Sequence, residues 1–360
     1  MSSAETFLSS IFPLLVSLNV IGVSDYTRDS TKTRLKRSKL LTIYMRIKSS
    51  LVCVLVICGS FYGQIFKAET VMELLIYNVM NYGNLFYVFT VYILITWNFK
   101  KIVPFFDDFV KIDTELEWLL MKPVDYKTTI KSIYLYFAVS YAMTFVVLIV
   151  HVVIGTGLWD FIAYLIGILV GISMESTLFS ILRELRRRYE LINECLINLS
   201  SKQFEDAFDR LKRLKLVYLK LLQFRKILGD FALQFLIKFC MSYLLFLSGL
   251  YNFYVLGFNN WFSHLVILLW SSKEILGAIY YFDSVTQEVL KTRVLYEAAM
   301  KTYDLNYRRR GLFHLQVQFE NNCFWICGLF PMKWSLALSM IGSIVSNLVI
   351  LIQFKKMTNH

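Results

Sequence analysis

The sequence is short of charge and of the residues that break, staple or metallate a chain. Charged side chains make up 18% of 360 residues and hydrophobic ones 57%, against roughly 25% and 45–50% in an average soluble domain. A water-soluble fold would need one very large core to hide that excess. The apolar residues come instead in blocks of about twenty, the length that crosses a bilayer. Only four prolines occur (Pro13, Pro104, Pro123 and Pro331), and none falls in the middle of a predicted span, so the helices are expected to run unkinked. Six cysteines are too few and too scattered for a disulfide framework. Cys323 and Cys327 are one helical turn apart, but no histidine or carboxylate cluster with metal spacing accompanies them. No phosphate loop, nucleophile elbow or HExxH is present, so an enzyme is not expected, and no cofactor. The one N-glycosylation sequon, Asn198-Leu199-Ser200, falls on the predicted cytoplasmic side and should be silent.

What is present is a series of seven apolar spans, near 40–62, 73–97, 130–154, 158–181, 230–256, 261–282 and 326–354. Residues 5–23 are also apolar, but they carry Pro13, Asn19 and several serines and lack a basic start. They read as a short helix lying on or dipping into the membrane. The net charge of +12 orients the chain, because cytoplasmic loops collect Lys and Arg. Eight basic residues precede or open the first span, five lie between spans two and three, twelve between four and five, and six between six and seven. Of 38 basic residues, 31 thus share one side and three the other, which predicts a cytoplasmic N-terminus and an extracellular C-terminus. That orientation excludes G-protein-coupled receptors, whose Asp-Arg-Tyr and Asn-Pro-x-x-Tyr markers are also missing. A nucleic-acid partner is excluded too, since the basic residues follow the loops and share no surface with aromatic stacking groups.

The outer connections are very short, so an external stimulus must bind between helices. The inner connections are long and helical in pattern: within 183–228, leucines recur at three- and four-residue intervals among charges. Two readings stand for them, an assembly domain between subunits and a basic face held near anionic membrane lipid. Small-residue pairs, Gly59 with Gly63 and Gly167 with Gly171, permit close helix approach. The expected division is a cytoplasmic N-terminus with its membrane-surface helix (1–39), spans one to four as a ligand-sensing bundle (40–182), and cytoplasmic anchor helices (183–228). Spans five and six (229–283), further anchor helices (284–325), the last span (326–354) and an extracellular tail (355–360) complete it.

The last span carries the sharpest pattern. Ser335, Ser339, Ser343, Ser346 and Gln353 recur at helical steps, with Asn347 flanking them. Such a stripe faces either a closely packed neighbouring helix or a water-filled pore. In the pore reading Ile350 and Phe354 are placed to form a hydrophobic gate.

Ser346-Asn347 followed, after five apolar residues, by Gln353-Phe354 resembles the Thr-Tyr-x5-Gln-Phe signature of insect gustatory receptors. The run from Gly328 through Pro331 to Gly342 is similar to the family's approach to that signature. Seven spans, the cytoplasmic N-terminus and the long inner helices match as well, so the resemblance covers nearly the whole chain. It departs at Ser346 for threonine, which keeps a hydroxyl, and at Asn347 for tyrosine, which loses a ring.

The resemblance implies an all-α membrane protein. It implies a homo- or heterotetrameric, ligand-gated, nonselective cation channel, with span seven of each subunit around the pore. Gln353 and Phe354 then constrict the pore near its outer mouth, and Ser346 and Asn347 support them from deeper. Leu348 stands where sugar-responsive members usually carry glutamate, which points to a bitter or unassigned tastant and to the plasma membrane of chemosensory neurons.

The family's ligand site lies among spans two to six in their outer half. The residues that the topology puts there include Asn81, Tyr82, His151, Tyr164, Tyr251, Tyr254, His264 and Trp270. Aromatic faces with a few polar groups suit a small, mostly apolar ligand. Charges inside spans are costly and usually functional. Lys273 and Glu274 lie about 18 Å from the outer end of span six, at 1.5 Å per residue, and are expected to couple the ligand to span seven. Glu175 and Lys238 lie on spans four and five nearer the cytoplasm, where a mutual pair or snorkelling would satisfy them with no role in sensing. Alternative functions are an obligate co-subunit of a heteromeric receptor and a secondary transporter. The transporter reading would require internal repeats, and none is visible.

Overall fold

The computed structural model describes residues 3–21, 24, 26–28, 35–62, 86–90, 104, 106–154, 158–199, 204–256, 261–302, 324–326 and 330–358. Some helical side chains lie outside that description, those of His151, Tyr164, His264 and Phe354 among them. Seven long helices are α1 (Ser3–Ile21), α2 (Lys39–Tyr62), α3 (Lys127–Ile154), α4 (Leu158–Leu199), α5 (Phe204–Leu256), α6 (Trp261–Thr302) and α7 (Trp334–Thr358). A further helical stretch covers 106–120, and a short one 86–90. Two small antiparallel hairpins, β1 (Tyr26–Arg28) with β2 (Leu35–Arg37) and β3 (Trp325–Ile326) with β4 (Phe330–Pro331), complete the described chain. The predicted second span, 73–97, falls almost wholly outside the described residues.

Sequence period explains the long helices. In α4 the apolar segment runs without interruption into LRELRRRYELINECLINL, giving one helix of 42 residues, about 63 Å at 1.5 Å per residue. Likewise α5 reaches 53 residues by joining a basic segment to an apolar one, and α6 42 by joining an apolar segment to one of mixed charge. Neither proline nor a glycine cluster interrupts them, so backbone hydrogen bonding continues past the boundary in composition.

Burial ranks these helices. Of the apolar window of α4, 83% is buried inside the protein, against 17% for α7 and 11% for α2. Residues 170–182 of α4 are buried on every side, the polar Ser173, Glu175, Ser176, Thr177 and Ser180 included. The largest interfaces are those of α6 with α4 and with α5, which makes α4, α5 and α6 the structural centre. Four helical segments are long and apolar enough to cross a membrane among the described residues: 39–58, 127–149, 165–199 and 334–353.

Two expectations change. The N-terminal helix is docked into the bundle on one face and does not merely rest on a membrane surface. Phe7, Leu8, Ile11, Leu14, Leu15 and Leu18 are buried, and the Ser17 hydroxyl donates to Ser173 Oγ of α4 at 2.8 Å. Phe12, Val16 and Val20 form its outward stripe. The last helix begins at Trp334, not at 326. Pro331 has no N–H and biases the preceding residue away from helical geometry, so the apolar run 324–332 enters a hairpin. That hairpin docks on the bundle: Phe324 meets Phe282 of α6 at 5.2 Å, Phe330 meets Phe239 of α5 at 6.3 Å, and Met332 N–H donates to Phe324 O at 2.9 Å.

Candidate functional site

Four ionisable side chains from three helices meet in the centre of the bundle. Lys238 of α5 pairs with Glu175 of α4 and, at 3.0 Å, with Glu274 of α6, while Lys273 of α6 stands 3.5 Å from the other oxygen of Glu175. Two cations and two carboxylates balance. Both carboxylates are buried, and Lys238 is nearly so. Isolated charges here would cost several kcal/mol each, and mutual pairing offsets that cost.

Neutral groups complete the shell. Tyr136 Oη donates to Glu175 Oε2 at 2.7 Å, the Ser242 hydroxyl donates to Glu274, and Lys273 donates to Ser140 Oγ at 3.3 Å. The Lys273 ammonium also lies over the rings of Trp270 at 4.6 Å and Tyr136 at 5.3 Å, a cation–π arrangement that suits a partly desolvated lysine. Gly171 of α4 makes room for Lys238, since a Cβ there would stand 2.8 Å from its Nζ.

The sequence reading kept Glu175 with Lys238 apart from Lys273 with Glu274. The structure joins them in one cluster. Counting residues from the span ends placed the pairs at different depths, and that count assumes helix ends that are level. The direct Lys238–Glu274 contact sets both residues at one level.

One residue on from Ser242, α5 reaches α7. Tyr243, next in sequence to Ser242, has its hydroxyl 2.8 Å from Ser343 Oγ and accepts a hydrogen bond from Asn347 Nδ2 at 3.2 Å. The polar stripe of α7 is therefore divided. Ser343 and half-buried Asn347 bond to Tyr243, whereas Ser335, Ser339, Ser346 and Gln353 are exposed without bonding to it; Ser343 itself and Ile350 are exposed too. Ser339 and Ser346 donate to the carbonyls of Ser335 and Gly342 in their own helix, which satisfies their hydroxyls without a neighbour. The other side of α7 buries Ala337 and Ile344.

A second buried ionic cluster, absent from the sequence reading, joins the N-terminal layer. Arg188 of α4 donates to Asp113 Oδ2 at 2.6 Å and to Glu184 Oε2 at 3.0 Å, with its guanidinium plane over Phe109 at 4.1 Å and Phe7 at 5.2 Å. Tyr126 donates to Asp113, Thr129 donates to Glu184 at 2.7 Å, and Arg187 donates to Thr129 Oγ1 at 3.1 Å. Burial pushes the Asp113 carboxyl above its ordinary range, with the Arg188 guanidinium pulling the other way. The signal was in the sequence only as a run of arginines, which looks like a solvated face until a partner from 106–120 is found for one of them.

Of the proposed ligand-contacting residues, Tyr251 is buried, Tyr254 is half exposed, and Trp270 is buried beneath Lys273 as part of the ionic cluster. Asn81 and Tyr82, with the side chains of His151, Tyr164 and His264, lie outside the described residues, as does the side chain of Phe354. No group of three or more metal-ligating side chains occurs among the described residues.

The model of the 7tm chemosensory receptor family matches residues 11–358, nearly the whole chain. This protein belongs to that family. As a chemosensory receptor it is not an enzyme. Its fold is similar to that of the insect olfactory receptor OR5 from Machilis hrabei, with a TM-score of 0.75 at 12% identity over 96% of this chain and 97% of that one. The same olfactory receptor in complex with eugenol superposes with a TM-score of 0.68 at 11% identity, over the same shares of the two chains. No curated protein sequence matches the chain. The receptor thus has the helical membrane fold of insect chemoreceptors, with the central ionic cluster on its α4, α5 and α6.

Proposed function

We propose that this receptor is a gustatory-type subunit, a ligand-gated nonselective cation channel in the plasma membrane of chemosensory neurons. Its N-terminus is cytoplasmic, and four copies, alike or mixed, surround a pore lined by α7. The observation that carries this reading is α7 itself. It is apolar enough to span a bilayer yet buried over only 17% of its window within one subunit. A hydrophobic helix with so little intramolecular packing, and with Ser335, Ser339, Ser346 and Gln353 along one exposed side, suits contact with other subunits and an aqueous path. Gln353 and Phe354, with Ile350 a turn before Phe354, are the proposed constriction.

The ligand is a small, mostly apolar molecule held in the outer half of the bundle, near Tyr251, Tyr254 and Trp270. The eugenol complex of the Machilis olfactory receptor supports a ligand of that size. Leu348 in place of the glutamate of sugar-responsive relatives favours a bitter or aversive tastant. Lys273 and Glu274 relay binding to α7.

Whole-cell recording from cells expressing the chain, challenged with a panel of bitter plant compounds, tests the proposal. Ligand-dependent cation current supports it. Substrate uptake without current would indicate a transporter. Silence alone, with current on co-expression of another receptor, would indicate an obligate co-subunit.

A further inference from the structure

The triangle of Tyr243, Ser343 and Asn347 links the ionic cluster to the last helix through one turn of α5. Lys238 and Ser242 are four residues apart and share a face, which engages Glu175 and Glu274. Tyr243 follows, rotated by about 100° along the helix, and its phenol reaches Ser343 and Asn347 of α7. Asn347 Nδ2 lies also 3.4 Å from Ser343 Oγ, so the three polar groups close on one another. Asn347 occupies the signature position at which the resembling receptors carry tyrosine. In this chain a phenol stands on the facing helix and the amide on α7.

We infer that Tyr243 is a positioning residue for α7, a clasp that makes the last helix follow movements of α5 and hence of the four-charge cluster. The inference rests on the proposed role of α7 as pore lining. Among the described residues, α7 otherwise meets the bundle through apolar side chains such as Ala337 and Ile344, whose contacts are non-directional. Directional hydrogen bonds set register and rotation where apolar packing does not. Removing the Tyr243 hydroxyl leaves the ring and its packing in place, so Tyr243→Phe isolates the polar tie.

The test is a double-mutant cycle with two readouts in the full-length chain. Tyr243→Phe, Asn347→Leu and the double variant are compared for unfolding temperature in detergent and for ligand-free cation current per surface-expressed channel. Each single variant is expected to shift the current by about two- to tenfold, the range that one net hydrogen bond commands, and the double by less than the product of the two single effects, because the Tyr243–Asn347 bond is common to both. The exchanged pair, Tyr243→Asn with Asn347→Tyr, restores both readouts toward wild type, because it returns one phenol and one amide to the same gap. Additive effects and no rescue would overturn the contact. Coupled unfolding temperatures with unchanged currents would overturn the positioning role.

The pore reading is tested separately, by current block of Ser346→Cys with a charged thiol reagent. Block of Ser346→Cys together with an additive cycle removes the clasp and leaves the pore. A coupled unfolding cycle with a current, from the chain alone or with a co-expressed receptor, that the reagent leaves unblocked removes the pore, and the role of the clasp with it.

Discussion

Gly171 and Lys238 fit each other so closely that a single methyl group would collide: a Cβ on Gly171 would lie 2.8 Å from the Lys238 ammonium and 3.3 Å from its Cε. The end of a lysine side chain usually yields easily, but this one is fixed between Glu175 and Glu274. The small residue on α4 therefore serves the charge cluster. Close approach of two backbones, the ordinary reading of a small-x3-small pair, is not what Gly171 provides.

Gly171→Ala is accordingly expected to destabilise the receptor by about 1–3 kcal/mol, the usual cost of overpacking. Thermal unfolding of detergent-solubilised protein measures it. An unfolding temperature equal to that of wild type would mean that Lys238 moves aside freely and that the cluster is loose.

Lys238→Met leaves Glu175 and Glu274 facing each other with only the more distant Lys273 to balance them. Breaking a buried ion pair in this way costs about 3–5 kcal/mol, so surface expression should fall sharply. Adding Glu274→Gln removes one of the stranded charges, and partial recovery of surface expression is the expected outcome. Equal expression of the single and double variants would show that the pairing does not govern folding.

Lys273 is held less firmly, by contacts of 3.3 and 3.5 Å and by two aromatic rings. Lys273→Met keeps the stem that packs on Trp270 and Tyr136, so folding and surface level are expected to be near normal while agonist-evoked current changes. Concentration–response curves against any active bitter compound test this. An unchanged curve at normal surface expression removes Lys273 from the relay.

Arg188 anchors the 106–120 helix and α1 to α4 through a guanidinium that bonds Asp113 and Glu184 with separate nitrogens and stacks on Phe109 and Phe7. Lysine has neither the planar fork nor the stacking face, so Arg188→Lys should restore little of what Arg188→Leu loses. For Arg188→Leu the expected loss is about 3–5 kcal/mol, because Asp113 and Glu184 are left without a cation. The combined Arg188→Leu, Asp113→Leu and Glu184→Leu variant should unfold closer to wild type. Proteolysis rates and unfolding temperatures of the three proteins decide.

Much of this receptor was legible without coordinates, for a physical reason. A bilayer demands about twenty apolar residues per crossing and internally satisfied backbone groups, so helix positions appear in composition: α2 and α3 overlie the expected spans, while α4 runs on past its span and α7 starts after its own. The stripe of small polar residues on α7 follows from helical period in the same way. Side-chain partnership did not follow. Glu175, Lys238 and Lys273 with Glu274 belong to three helices far apart in sequence, and nothing in one helix records the rotation or level of the next. The hairpin ahead of α7 was hidden for a related reason: its residues are as apolar as a span, and only Pro331 marked the boundary. Apolar periodicity is a property of each segment, fixed by its own residues against solvent or lipid. The union of four charges, the seat of Lys238 against Gly171 and the division of the α7 stripe by Tyr243 depend on how segments dock, and tertiary structure alone decided them.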